Sequence, residues 1–322
     1  MSLITLQEIR SAARQIAPYI HRTPLWPSRT LSAMAGARVH LKCENLQKTG
    51  SFKPRGALRR IANLTAEERA RGVLAASAGN HAQGLAFAAT AQGIPVTVVM
   101  PETAPQAKLD AAREMGASVI QRGESFDDAL AAALELQRST GMTFVHPCTD
   151  PDMVAGAGTI GLEILEDLPD VDAVVVPVGG GALLAGIATA VQSLRPAAQV
   201  WGVEPAGAAA MQRSLAAGRL VELESAASIA DGMAGRAVFQ YTLDHARAYC
   251  AGVRLVSEDA MLQAIRLLLE RAKLLTEAAG AAPLAAILDG IPGLAADACV
   301  VAVLSGGNQD LGLLTRWLEH GL

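Results

Sequence analysis

A lysine beside a proline is the first position in this 322-residue chain whose surroundings favour chemistry. Lys53 lies within the segment Ser51-Phe52-Lys53-Pro54-Arg55-Gly56, and Pro54 suits the first turn of a helix because its missing N–H would have no partner there. An amine at a helix entrance, partly desolvated and near the positive end of the dipole, can act as a nucleophile. Taken alone, the pattern favours an ordinary surface lysine. Whether Lys53 is instead a nucleophile depends on the other segments of the chain.

A run of three glycines forms the second segment, between an apolar stretch at 174–176 and an apolar helical pattern. Its residues are Gly179, Gly180, Gly181, Ala182 and Leu183. Without Cβ atoms the backbone can turn sharply and direct successive N–H groups at a dianion, and a helix N-terminus adds a favourable potential. The run predicts a phosphate-binding loop, with a tightly packed strand-to-helix turn as the alternative. Because no Lys-Ser/Thr pair follows, it is not a P-loop.

Two further segments place polar groups after apolar stretches. Within 76–84, hydroxyl and amide groups converge where a strand meets an Ala-rich helix, which predicts a site for a substrate carboxylate, with a capped helix start as the alternative. The residues of interest are Ser77, Ala78, Asn80 and His81. Ser305 follows the last clear strand, and ligands bind at the carboxyl edge of parallel sheets. Its hydroxyl is suited to bond a ring nitrogen or to form a turn.

The stretch 156–161 matches the G-x-G-x-x-G fingerprint of dinucleotide-binding proteins. It follows the loop residues 150–152 rather than a strand, and no acidic residue ends a strand at the distance that a ribose hydroxyl requires. We therefore interpret these glycines as positions of close helix packing.

The elements that must position these segments alternate along the chain. Ala/Leu-rich helical stretches separate β-branched runs at 39–43, 96–100, 174–176 and 300–304. Helix starts are predicted at Thr5, Thr65 and Ser257, where a hydroxyl precedes acidic residues. The alternation is typical of an α/β protein with mostly parallel sheets.

The length allows two lobes with a cleft between them, with one large α/β domain as the alternative. We expect a large domain formed by 1–46 and 147–322. The small domain, 47–146, would carry the lysine and the segment 76–84, which we call the carboxylate loop. The turn-rich stretch 144–151 is the predicted crossing between them.

Composition narrows the classes of partner. The formal net charge is −4 with no long basic run, which gives no electrostatic reason to expect nucleic acid or an anionic membrane, so we expect a small-molecule substrate. No secretory signal and no stretch of membrane-spanning length is recognised, and we expect a cytoplasmic protein. The cysteines form no CxxC pair and are expected to be small core residues. They are Cys43, Cys148, Cys250 and Cys299.

Taken together, the segments resemble the fold-type II enzymes that depend on pyridoxal 5'-phosphate (PLP), and specifically the branch of serine/threonine dehydratases and serine racemases. The resemblance covers nearly the whole chain. It is most specific over 42–57, which is similar to the lysine motif of that branch. It implies a two-lobed α/β fold like that of tryptophan synthase β, in which each lobe is a mostly parallel sheet flanked by helices.

The resemblance also implies roles for individual residues. Lys53 would hold the cofactor as a Schiff base and act as the catalytic base, while Phe52 would lie against the ring. Asn80 would bond the phenolic oxygen, and 179–183 would hold the phosphate. Ser305 would face the pyridine nitrogen. The residues around the substrate carboxylate would be Ser77, Ala78, Asn80 and His81.

Two of the departures from the pattern of this branch bear on racemisation and on metal binding. Racemases carry a second serine where Ala78 stands, and a methyl group cannot deliver a proton to the face opposite the lysine, so racemisation should be weak. The cation site of some relatives pairs a Glu with an Asp six residues later, whereas Glu204 is followed by Ala210. Because hard cations need several oxygen ligands, we expect no metal.

The resemblance implies β-elimination of water from L-threonine, L-serine or a related 3-hydroxy amino acid in amino-acid catabolism, giving a 2-oxo acid and ammonia. The alternatives within PLP chemistry are a serine racemase and a β-replacement enzyme of the cysteine-synthase kind. From other classes, an NAD-dependent dehydrogenase would rest on 156–161, and a non-catalytic ligand-binding protein would rest on the cleft alone. Relatives of this kind imply a homodimer or homotetramer.

Overall fold

The computed structural model describes residues 2–320, in which ten strands form two sheets. The strands are β1 (Leu25–Pro27), β2 (Arg38–Lys42), β3 (Val73–Ala76), β4 (Val96–Met100), β5 (Ser118–Gln121), β6 (Thr143–Phe144), β7 (Ala173–Pro177), β8 (Gln199–Pro205), β9 (Gly252–Val256) and β10 (Cys299–Val303). The six-stranded sheet has the order β1-β2-β10-β7-β8-β9, and the four-stranded sheet has the order β5-β4-β3-β6. Every pairing is parallel except that of β1 with β2. The predicted α/β fold is confirmed.

Fourteen α-helices connect and flank these strands in the described range. They are α1 (Leu6–Ile16), α2 (Arg29–Ala35), α3 (Lys53–Ala62), α4 (Ala66–Arg71), α5 (Asn80–Thr90), α6 (Gln106–Glu114), α7 (Phe126–Thr140), α8 (Pro151–Asp167), α9 (Ala182–Leu194), α10 (Ala210–Ala217), α11 (Gln240–Tyr249), α12 (Glu258–Leu267), α13 (Ala278–Leu288) and α14 (Leu311–His320). The three predicted helix starts are confirmed, because the hydroxyls of Thr5, Thr65 and Ser257 each accept a backbone hydrogen bond from the first turn.

The interior strands of the larger sheet are buried on both faces. In β10, Val300 and Ala302 pack into the core on one side, while Val301 and Val303 pack into the core on the other. Successive side chains of a strand point to opposite faces, so a strand between two helical layers must be apolar at every position. This is why β10 reads as an unbroken apolar run.

The chain passes from the larger sheet to the smaller sheet and then back to the larger one. It forms β1 and β2 in the larger sheet, then all four strands of the smaller sheet, and then returns to the larger sheet with β7. The return passes through the predicted crossing, in which β6 ends at Phe144 and α8 begins at Pro151. Asp150 caps α8, so Pro151 and Asp152 belong to the helix rather than to a loop. The domain boundaries at 46/47 and 146/147 stay predictions.

The G-x-G-x-x-G stretch lies inside α8 and not at a strand-to-helix turn. A Cβ atom on Gly156 would overlap the carbonyl oxygen of Arg55, and one on Gly158 would lie 2.9 Å from the carbonyl oxygen of Gly186. The glycines therefore let α8 approach α3 and α9 closely, and the interpretation as helix packing is confirmed.

Three of the four cysteines are core residues, as expected, and Cys250 is the exception. All four cysteines lie in the described range as free thiols, and three are buried, while Cys250 is half-buried. Within residues 2–320, no helix combines the length and apolar character needed to cross a bilayer.

Candidate active site

The candidate active site lies where the lysine segment meets the end of β10. Ser51 and Gly306 form an isolated antiparallel bridge. The backbone N–H of Phe52 donates to the carbonyl oxygen of Ser305 at 3.0 Å. These backbone contacts bring Lys53 and Ser305, which the sequence singled out separately, to one edge of the larger sheet.

Lys53 is the first residue of α3, and Pro54 is the second, as the sequence predicts. Its amine lies 4.9 Å from the centroid of the Phe52 ring. A Cβ atom on Gly84 of α5 would lie 2.8 Å from Lys53 Cβ, so the two helices touch at the lysine itself. The amine is thereby held at the entrance of α3, beside the start of α5.

A buried cluster of ions lies behind the lysine. The fully buried Arg55 donates from Nε to Glu44 Oε2 at 2.8 Å and from Nη1 to Glu163 Oε1 at 2.7 Å. Lys42 donates from Nζ to Glu163 Oε2 at 2.5 Å. Two cations and two carboxylates therefore compensate one another out of water, which is the condition under which buried charges are tolerated.

The electrostatics of this cluster keep its charges in place. Burial lowers the pKa of Arg55, but Glu44 and Glu163 outweigh burial and leave that pKa above its ordinary value. Burial raises the pKa of Glu163, and Arg55 and Lys42 reverse this and hold it below its ordinary value. The cluster was missed in the sequence, although Glu163 directly after the uncharged stretch 153–162 was a usable signal.

The carboxylate loop connects β3 to α5, as the sequence predicts, and Asn80 begins the helix. Asn80 Nδ2 donates to Glu277 Oε1 at 2.7 Å, and Asn80 Oδ1 accepts from Asn308 Nδ2 at 2.7 Å. Ser77 Oγ accepts from the N–H of Gly79 at 3.2 Å, which shapes the turn. The amide of Asn80 is thus oriented on both sides.

Glu277 is a buried acid that the sequence interpretation did not single out. Burial, aided by the nearby Asp231, raises its pKa to about 7, against the hydrogen bond from Asn80 and the charges of Lys108 and Lys53, which lower it. Nothing local in the sequence marks Glu277, because its partner Asn80 lies 197 positions earlier.

His81 is buried and uncharged. Its Nε2 lies 2.9 Å from the carbonyl oxygen of Val145, and burial, followed by the charge of Lys53, lowers its pKa to about 3. A neutral ring bonded to a carbonyl must carry its proton on Nε2, which leaves Nδ1 as an acceptor. Among the described residues, Nδ1 has no partner.

The glycine loop, 179–181, lies between β7 and α9, as predicted, with Gly181 at φ +92°. Thr242 Oγ1 donates to the carbonyl oxygen of Gly180 at 2.8 Å, and a Cβ atom on Gly181 would lie 2.8 Å from Thr242 Cβ. The first N–H groups of α9 are directed out of the helix end, where an anion is favoured. The loop therefore has the form of a phosphate site.

Comparison with known proteins identifies the family. The model of the pyridoxal-phosphate-dependent enzymes matches residues 16–306. The chain belongs to this family. A Thermotoga maritima protein named L-threonine ammonia-lyase is 47% identical over 320 residues, covering 99% of this chain and 79% of that one. A Staphylococcus aureus protein named as a catabolic L-threonine dehydratase is 45% identical over 323 residues, covering 99% and 93%.

Solved structures show the same fold. Maize serine racemase aligns with a TM-score of 0.94 at 34% identity, covering 98% of this chain and 97% of that one. The processed form of threonine deaminase isoform 2 from Solanum lycopersicum aligns with a TM-score of 0.93 at 37% identity, covering 97% and 87%. The chain is a fold-type II enzyme, and its cofactor is PLP.

The cleft fits this cofactor. The glycine loop and the start of α9 offer backbone donors to a phosphate, and Lys53 offers an amine. The buried Ser51 Oγ and His81 Nδ1 have no partner within residues 2–320, and a bound polar ligand commonly satisfies such atoms.

Glu204 serves a helix rather than a group of metal ligands. Its carboxylate accepts from the N–H groups of Met211 at 2.8 Å and Gln212 at 2.9 Å, at the start of α10. Burial raises its pKa to about 7, although these two hydrogen bonds lower it. Residues 2–320 contain no group of three or more His, Cys, Asp or Glu placed to hold a metal ion. The absence of a metal remains an expectation.

Proposed function

We propose that this chain is a PLP-dependent L-threonine ammonia-lyase that also accepts L-serine or a related 3-hydroxy amino acid, releasing water and giving a 2-oxo acid and ammonia. The observation that carries the proposal is the similarity, over 99% of the chain, to a protein named L-threonine ammonia-lyase. The contacts of the lysine segment with Ser305 and with α5, which begins at the carboxylate loop, support it.

Lys53 is the proposed catalytic base. When bound, PLP supplies an electron sink for negative charge at the substrate's α-carbon. The amine of Lys53 would take the α-proton, and the β-hydroxyl would leave as water on receiving one proton, so that the step neither gains nor loses a proton overall. The eliminated product hydrolyses to the 2-oxo acid and ammonia. Phe52 would lie against the cofactor ring, Ser305 would face its pyridine nitrogen, and Asn80 would bond its phenolic oxygen.

The carboxylate loop is the proposed binding site for the substrate carboxylate. The Ser77 hydroxyl supplies a side-chain donor, and Asn80, whose amide is engaged by Glu277 and the cofactor, supplies its backbone N–H. The N–H groups of Ala78 and His81 supply backbone donors. The ring of His81 contributes differently, because its free Nδ1 accepts and does not donate. Its main part is therefore to hold the turn through Val145.

The nature of residue 78 favours elimination over racemisation. Racemisation requires a proton donor on the face of the α-carbon opposite Lys53. The side chain of Ala78 has no proton to give. The dehydrogenase alternative rested on 156–161, which lies within a packed helix and offers no cofactor turn.

The test is an assay of the purified PLP-loaded enzyme with L-threonine and L-serine, with ammonia and 2-oxo acid measured together. We expect equal amounts of both products, and Lys53→Ala should reduce turnover by at least about 1,000-fold, because it removes both the base and the nucleophilic amine. A D-amino acid as the main product would favour the racemase alternative. Normal turnover by Lys53→Ala would contradict the assignment of the base.

The oligomeric state and the cellular location are proposals as well. We propose a homodimer or homotetramer, and light scattering on the PLP-loaded protein measures its mass directly. We also propose a cytoplasmic enzyme, which fractionation of the source cells tests.

A further inference from the structure

An exposed ion pair joins a helix of the smaller sheet to a turn that packs on the larger sheet. Lys108 of α6 donates from Nζ to Asp231 Oδ2 at 3.0 Å, across 123 positions of the chain. The two side chains are 37% and 70% exposed. The pair therefore connects the two halves of the structure at a point that solvent reaches.

Each partner is carried by backbone that is anchored in the core of its own sheet. Leu109, next to Lys108, belongs to the buried apolar cluster around β3 and β4. Ala230 and Met233, on either side of Asp231, belong to the buried apolar cluster around β7 and β10. Only a relative movement of the two sheets, or a rotation of the two charged side chains, separates the charges.

Both anchoring segments adjoin the candidate active site. α6 packs against α5, the helix that begins at Asn80. The turn that begins at Asp231 touches the glycine loop, because a Cβ atom on Gly179 would lie 2.5 Å from the carbonyl oxygen of Gly232. The pair thus ties the helices behind the carboxylate loop to the turn that supports the glycine loop.

The exposure of the pair suits a contact that opens and closes. Water and salt screen exposed ion pairs, so such a pair is easily broken. A buried pair, such as that of Arg55 with Glu163, resists separation because each charge would be left without its partner. Substrate must enter and product must leave in each cycle, whereas the reaction itself benefits from a closed site that excludes water.

We propose that Lys108 and Asp231 are positioning residues, whose ion pair holds the carboxylate loop in place relative to the glycine loop while the substrate is bound. The inference rests on the proposed function, which assigns the substrate carboxylate to the first loop and the cofactor phosphate to the second. Neither residue touches the reacting atoms. The pair breaks to admit L-threonine and to release the 2-oxo acid, and it forms again in between.

The first test measures kcat and KM for L-threonine with the PLP-loaded enzyme. Lys108→Met and Asp231→Asn should each raise KM by about twofold to fivefold, the range that one exposed ion pair can supply, and leave kcat nearly unchanged. Added salt should raise the KM of the parent and affect the variants less, because it screens a pair that they lack. A lower kcat with unchanged KM would contradict the inference.

Exchange of the two charges separates the ion pair from other roles of these side chains. Lys108→Glu places a carboxylate opposite Asp231 and should raise KM further, by about fivefold to tenfold, because like charges repel. Combining Lys108→Glu with Asp231→Lys restores the attraction and should return KM to within about threefold of the parent. If the combined variant is no better than Lys108→Glu alone, the inference is wrong.

A matched ion pair within one half of the structure serves as the control. Arg254 of β9 donates to Asp289 at 2.9 Å, and their side chains are 30% and 64% exposed. Asp289 directly follows α13, which packs on the same sheet. Arg254→Met and Asp289→Asn should leave KM and its salt dependence unchanged. Melting temperatures of all variants check folding.

A distance measurement keeps the test independent of catalysis. In a Cys250→Ser background, nitroxides on Glu114→Cys of α6 and Arg213→Cys of α10 report the separation of the two halves by pulsed electron paramagnetic resonance. Lys108→Met should broaden the distribution towards longer distances, and the exchanged charges should narrow it again. An unchanged distribution would overturn the inference. If the distribution broadens but the parent releases no ammonia from L-threonine, the pair is assigned correctly and the proposed function fails.

Discussion

The lysine helix and the glycine loop are two parts of the proposed cofactor site, but the chain holds them by different forces. α3 is fixed from behind by ion pairs between Arg55 and two buried carboxylates. The glycine loop accepts a side-chain hydrogen bond from Thr242 and is otherwise held mainly by close packing, since a Cβ atom on Gly179 would lie 2.5 Å from the carbonyl oxygen of Gly232. Ion pairs with hydrogen bonds are directional, whereas close packing only excludes atoms. The helix that begins at Lys53 is thus fixed mainly by electrostatics, and the glycine loop is fixed mainly by packing that only missing side chains allow.

The strongest way to break this comparison is to remove the ion that both carboxylates share. Arg55→Met should cost about 3–5 kcal/mol of unfolding free energy, because it leaves Glu44 and Glu163 buried with one cation fewer. Urea unfolding measures the loss. Arg22→Met is the matched control, because the Arg22 side chain is 50% exposed in its pairs with Glu166 and Asp167. It should cost less than about 1 kcal/mol, and equal losses would refute the electrostatic account.

A second test measures how the contribution of Glu277 to the free energy of unfolding depends on pH. The pKa of Glu277 is raised from 4.5 to about 7, so the folded state binds this proton more tightly than the unfolded state does. Its favourable contribution is complete below about pH 4.5 and is lost as the pH rises to about 7. Glu277→Gln should remove this dependence. Across that range, urea unfolding should show stability shifting towards the variant by on the order of 3 kcal/mol.

A variant of Asp128 serves as the control for the direction of this pH dependence. Hydrogen bonds from Ser125 lower the pKa of Asp128, so its contribution is present at neutral pH and is lost as the pH falls. Asp128→Asn should therefore become less unfavourable on acidification, opposite to the trend for Glu277. The same slope in both variants would contradict the assignment for Glu277.

A third test sharpens the steric side of the comparison. Gly181→Ala places a Cβ atom at φ +92° and 2.8 Å from Thr242, whereas Gly218→Ala has φ +65° and open space. Both changes cost conformational energy, but only the first adds overlap, which should cost a further amount of about 1–3 kcal/mol. Thermal unfolding of the two variants side by side measures the difference. Equal melting temperatures would mean that the loop relaxes around the added atom.

The smallest expected effect concerns residue 78. Ala78→Ser adds a hydroxyl on the loop facing the lysine, which should give a slow conversion of L-serine into D-serine, at roughly a few per cent of the rate of elimination. Chiral chromatography of the reaction mixture measures it. Ala78→Gly changes the same position without adding a proton donor and should form no D-serine. D-serine from the glycine variant would exclude residue 78 as the determinant.

The sequence predicted those parts of the molecule that depend on local pattern. The apolar run at 300–304 predicted β10, and the three glycines predicted a turn at the start of α9, because sheet burial and sharp turns restrict residue types locally. The positions of Lys53, Asn80 and Ser305 followed from the same segments. Their roles toward the cofactor and substrate stay predictions.

Contacts between residues that lie far apart in the chain could not be predicted from the sequence. Arg55 reaches Glu163, which is 108 positions later, and a helical pattern does not reveal which charged residue it meets. Glu277 and Asn308 converge on Asn80 for the same reason. The glycines of 156–161 illustrate the opposite case, in which one local pattern suits both a cofactor turn and close helix packing.

The position of β10 in the chain affects the order in which the enzyme can fold during its synthesis. This late strand lies between β2 and β7, and the segment after it binds the lysine loop, as in the bond from Asn308 to Thr49 across 259 positions. During synthesis Lys53 leaves the ribosome long before β10, the strand beside which its segment packs. Contacts of such long range form late and slow folding. A nascent chain therefore carries its lysine without these surroundings until β10 has been made.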